Sequence, residues 1–89
     1  GVVNRLVEPG SALASAVTLG AEISKGPQQA MARIKRLCRL AMRQSLEAQL
    51  ESEAQFMVEA MASYESMEGI DAFLHKRQPD FIKLRGANE

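Results

Sequence analysis

After one β-prone run at its start, this chain repeats its apolar residues only at helical spacing. Gly1-Val2-Val3-Asn4-Arg5-Leu6-Val7 has the composition of a strand, yet no partner strand follows it. A lone strand leaves its backbone N–H and C=O groups unpaired, so it belongs to a sheet or packs on another surface. The expected fold is therefore all-α, a small bundle of about four helices with a short extended N-terminal segment. Residues 1–10 are expected to be an extended lead-in from a missing N-terminal part, and residues 11–89 the helical region.

The punctuation between helices is clear. Glu8-Pro9-Gly10-Ser11 reads as a turn, with Ser11 or a neighbour capping a first helix on which Leu13, Ala16, Val17, Gly20, Ile23 and Ser24 form a stripe. Lys25-Gly26-Pro27 ends that helix, with Gly26 suited to a left-handed C′ position and Pro27 to the first turn of the next. The second helix, about Pro27 to Met42, is expected to bury Ala30, Ile34, Leu37, Cys38 and Ala41. Ser45 caps a third, about Leu46 to Ser63, whose apolar side holds Leu46, Leu50, Met57, Ala60, Met61 and Tyr64. The fourth opens beside Ser66 and Gly69 and stops before Pro79, with Ile70, Phe73, Leu74 and Arg77 on one stripe.

Charge narrows the partners. Eleven basic and eleven acidic residues cancel, which removes the global attraction to nucleic acid or an anionic membrane. Arg33, Lys35, Arg36, Arg39 and Arg43 lie on the second helix, and Glu47, Glu51, Glu53 and Glu59 on the third. The two would pair as an antiparallel hairpin, each exposed pair contributing less than about 1 kcal/mol. Those glutamates are spread around a polar face rather than paired in a cleft, so none is read as a general acid or base. No second His or Cys accompanies His75 at ligand spacing, so no metal site is expected; Asp71, four residues earlier, is its natural partner. The lone cysteine, Cys38, fits a reducing compartment and a cytoplasmic location.

Phe73 and Lys76 are three residues apart, which on a continuous helix sets both on one face. Two readings stay open on pattern alone. Phe73 packs into the bundle with Lys76 in solvent, or the pair grips a ligand that has an apolar part and a phosphate.

The order of several short motifs resembles the C-terminal part of the enoyl-CoA hydratase/isomerase, or crotonase, superfamily. Gly1-Val2-Val3-Asn4 with Val7 and Pro9 resembles its GLVN-x-V-x-P segment. Ile23-Ser24-Lys25-Gly26-Pro27 followed by Lys35 resembles its I-A-x-x-P segment with a lysine eight residues beyond the proline. Leu46-Glu47 with Glu53 and Phe56 resembles its L-E-x-E helix. Glu68-Gly69, Ala72-Phe73, Lys76-Arg77, Pro79 and Phe81 match EG-x-x-AF-x-x-KR-x-P-x-F. Ser63-Tyr64-Glu65 departs from a more acidic family pattern.

The resemblance implies the helical C-terminal oligomerisation and ligand-capping region of an acyl-CoA enzyme. Hydration of a 2-enoyl-CoA through a thioester enolate is the parental reaction it implies first, with acyl-CoA as substrate and no separate cofactor. It implies a homo-oligomer, trimer or hexamer, and catalytic residues in the missing N-terminal part, so none is named here and the chain alone is not expected to be an enzyme. Phe73 and Lys76 inherit a place near the CoA moiety, and Met57 a place lining an apolar pocket. The competing expectation is a non-catalytic helical module that self-associates.

Overall fold

The computed structural model describes residues 1–86 and builds them from α1 (Ala12–Ser24), α2 (Gln28–Ala41), α3 (Leu46–Met61), α4 (Tyr64–Leu74) and α5 (Lys83–Gly86). The all-α expectation holds, with a short fifth helix beyond Pro79. Residues 87–89, the end of the expected helical region, lie outside the described residues. Residues 1–8 form neither strand nor helix.

The turns follow from local chemistry. Ser11 N–H donates to Glu8 C=O at 3.0 Å, and Gly10 sits at φ 84°, so Pro9-Gly10 forms a type II turn that needs a residue without Cβ. Ser45 caps α3 as expected, its hydroxyl accepting from Ala48 N–H at 3.2 Å. The cap of α4 is Ser63, which accepts from Ser66 N–H at 3.2 Å, so α4 starts earlier than the Ser66–Gly69 stretch suggests. Gly26 is not left-handed. Lys25 is the C-cap of α1, and a Cβ at position 26 would meet the terminal methyl of the flexible Met31 side chain, which could move aside.

Packing runs α2 on α3 and α3 on α4. Arg36 stacks over the Phe56 ring at 5.3 Å, and Arg33 Nε lies 3.6 Å from Glu59. Arg33–Glu59 is the one α2–α3 ion pair among the described residues. Helix ends are also joined by hydrogen bonds between elements. The Glu65 carboxylate, on the first turn of α4, accepts from Gln29 N–H at 2.9 Å and Ala30 N–H at 3.1 Å. It thereby caps the N-terminus of α2 from another helix, a bond of the kind that contributes about 1 kcal/mol. At the opposite end of the chain, Arg85 of α5 donates to Ser24 C=O and, at 3.4 Å, to Gly26 C=O, so it satisfies carbonyls at the end of α1.

Little of the apolar surface is covered. Among the described residues only Ala72 and Glu68 are buried. Ile34, Cys38 and Ala41, expected inside, are exposed, and Ala30 and Leu37 are half-buried. The physical reason is that α2 has one packed neighbour, so a stripe broad enough for a core is met along only part of its width. The accessible surface is 7574 Å², against roughly 5,100 Å² for a compact monomer of this mass. The radius of gyration is 16.6 Å, where a compact chain of this length has about 12 Å.

Candidate functional site

The last turn of α4 departs from the sequence expectation in an informative way. Helical geometry ends at Leu74, and Lys76 takes φ 51°, in the left-handed region. Lys76 N–H donates to Phe73 C=O at 3.2 Å and Arg77 N–H to Ala72 C=O at 3.0 Å. Those two bonds define a Schellman motif with Lys76 at C′ and Arg77 at C″. Phe73 and Lys76 therefore do not share a helical face, and Arg77 leaves the apolar stripe assigned to it. The spacing rule fails because the helix ends two residues before Lys76.

Beside that turn lies a buried carboxylate. Glu68 is 8% exposed and packs on the same inner side as Ala72. Its oxygens accept from Arg77 Nη1 at 2.6 Å, Arg77 Nη2 at 3.1 Å and Asp80 N–H at 2.7 Å, with Lys83 Nζ at 3.7 Å. A buried anion needs such partners, since each unfilled lone pair would cost desolvation without return. Arg77 also reaches Asp71 at 2.5 Å, and Asp71 in turn lies 3.1 Å from His75 Nδ1, the pairing expected from their spacing. The Arg77 guanidinium, then the Asp80 amide, hold the Glu68 carboxyl at about 2, below its ordinary 4.5. Arg77 lowers Asp71 as well, and the two carboxylates raise Arg77.

The three ligand candidates fall in two places. Phe73 is 83% exposed, so it does not pack into this chain's bundle, and Lys76 is exposed with no ion pair among the described residues. Met57 is also exposed and lines a separate apolar groove of about 300 Å³ between α2 and α3, floored by Ile34, Leu37 and Phe56. Neither Phe73 nor Lys76 borders that groove. Glu65 and Arg85 were assigned no role from the sequence, and Glu68 only a place in a motif. Each acts on a partner nine or more residues away, or across two helices, beyond the reach of periodicity.

Chemically the α4 terminus offers a cation and a bare aromatic ring beside the Asp71–His75 pair. No helix among the described residues is long and apolar enough to cross a membrane. The family model for enoyl-CoA hydratase/isomerase matches residues 1–84, and the chain belongs to that family. The crystal structure of an enoyl-CoA hydratase from Polaromonas sp. JS666 superposes with a TM-score of 0.85 at 34% identity, over 90% of this chain and 31% of that one. The chain thus spans about a third of that relative's length. No curated protein matches it.

The Glu68 cluster sets a pH dependence. A carboxyl held at about 2 in the folded chain and near 4.5 when unfolded binds fewer protons folded between those values. Its stabilisation is complete above pH 4.5, shrinks as pH falls through that window and is gone below about 2. Denaturant midpoints measured from pH 5 to about 2 should fall less steeply for Glu68→Gln than for the natural chain. Parallel slopes would show that the carboxylate is not held as described.

Proposed function

We propose that this chain serves as the helical C-terminal region of an acyl-CoA enzyme, with hydration of a 2-enoyl-CoA as the parental reaction. Within that enzyme it builds the subunit assembly, a homo-oligomer of trimer or hexamer type, and completes the CoA pocket. Phe73 supplies an apolar face for the CoA moiety, Lys76 an ammonium for its phosphate, and Met57 an apolar wall toward the acyl chain. Catalytic residues belong to the part of the enzyme that the chain does not span, and a cytoplasmic setting agrees with the lone cysteine. Family membership supports the thioester substrate class, and the length of the solved hydratase supports a larger whole.

The observation that carries the site is Lys76. A left-handed C′ is the position where glycine costs least, and a residue with a Cβ pays roughly 1–2 kcal/mol there. A lysine at that cost, with no ion pair among the described residues in an otherwise ion-paired segment, is explained by a partner outside the chain. Phosphate is the partner whose chemistry fits an exposed point charge on a flexible stem. The aromatic ring bared three residues earlier fits the apolar remainder of such a ligand.

The exposed apolar surface supports the assembly role. Leu13, Val17 and Ile23 on α1, Leu46, Leu50 and Met61 on α3, and Met67 and Ile70 on α4 all face solvent in the single chain. A non-catalytic self-associating module is the second reading, favoured by the same surface and by nothing at Lys76.

Two measurements separate these. Lys76→Ala in the parent enzyme should raise the KM for a CoA ester about tenfold, the loss expected for one charge-assisted bond. An unchanged KM and kcat would remove Lys76 from the CoA contact and return it to the solvent. In light scattering the 89-residue chain should be larger than a monomer, whereas a monodisperse monomer would remove the assembly role from both readings.

A further inference from the structure

Schellman motifs usually carry glycine at C′ and a hydrophobic contact between C″ and the last helical turn. Here both features are replaced. C′ is Lys76 at φ 51°, and C″ is Arg77, whose guanidinium is held by two carboxylates. The residue that contacts the last turn in an ordinary motif is thus an ionic anchor. Glu68 adds a second fixed point beyond it, since Asp80 N–H donates to the same carboxylate at 2.7 Å. The backbone from Arg77 to Asp80 is pinned by one buried group.

We infer that Glu68 and Arg77 are positioning residues for Lys76: their ion pair clamps the backbone on its C-terminal side and holds it left-handed. The lysine is then carried off the helical path, with no ion partner for its ammonium among the described residues. This rests on the reading of Lys76 as a CoA contact and adds what sets its geometry. The logic is one of over-determination. An L-residue in the left-handed region is disfavoured by a factor of about 5 to 30, and such a conformation persists only where its surroundings enforce it. Glycine would form the same turn unaided, but it has no ammonium to offer. The clamp allows a lysine where the turn itself favours glycine. Asp71 belongs to the same device, because it holds the second side of the Arg77 fork.

A knot that merely stabilised the chain would not depend on which residue occupies position 76. The clamp must. The test compares Glu68→Gln in two backgrounds of the 89-residue chain, natural and Lys76→Gly. The readouts are the backbone ¹³C shifts of residue 76, which report its conformation, and hydrogen exchange at the Arg77 amide, which donates to Ala72 C=O. With Lys76 present, Glu68→Gln should move residue 76 out of the left-handed region and speed Arg77 exchange about 5- to 30-fold. With glycine there, the shifts should stay left-handed and exchange change less than about twofold. Equal losses in the two backgrounds would overturn the inference, as would a Lys76 that stays left-handed in Glu68→Gln.

If Glu68→Gln disrupts α4 itself, Arg77→Lys replaces it under the same criteria. It keeps the charge and loses the two-pronged grip. The two claims also fail separately. Coupling between positions 68 and 76 with no effect of Lys76→Ala on KM would retain the clamp and remove the CoA contact. A KM effect without that coupling would do the reverse.

Discussion

A carboxylate withdrawn from water must find donors, and the C-terminal third of this chain is arranged around that need. Glu68 lies on the inner side of α4 beside Ala72. Its donors come from Arg77, Asp80 and Lys83, all later in the sequence. Filling one group's lone pairs therefore fixes the path of a segment that has no regular hydrogen bonding of its own between α4 and α5. The fold's order here is ionic and local. Removing Arg77 would leave the buried Glu68 carboxylate without its main donor, whereas the guanidinium, itself 37% exposed, could still meet water.

The same segment joins the rest of the chain together. α5 follows the pinned residues, and Arg85 from α5 reaches the carbonyls that close α1. Glu65, three residues before Glu68, reaches the amides that open α2. Helix termini thus meet at one junction through hydrogen bonds between elements, while the helix flanks carry exposed leucine, methionine and phenylalanine. A junction held by polar bonds keeps its shape without a core, and leaves those faces available.

The sequence was legible where one residue acts on its neighbours. The type II turn at Pro9-Gly10, the Ser45 cap and the Asp71–His75 pair all lie within a few residues of their partners. The helical family pattern was legible for the same reason, since short motifs keep their spacing. Three features were not. Gly26 was read as a left-handed cap, but only Gly10 among the glycines has a positive φ. Phe73 and Lys76 were set on one face because Pro79 was the only visible stop, while the real stop is a turn with lysine where glycine is the usual signal. Cys38, Ile34 and Ala41 were placed inside because an apolar stripe implies burial, but in this chain the surface opposite them is solvent. Periodicity shows that a face is apolar, and not what covers it.

Hydrogen exchange at the Asp80 backbone amide tests the central claim most directly. That amide lies outside every helix, and its described partner is a side-chain oxygen of Glu68. If the buried carboxylate organises the segment, Asp80 should be protected to the level of amides within α4 and lose protection together with them. Exchange at the rate of an exposed loop, with α4 still protected, would show that the segment is not held by Glu68.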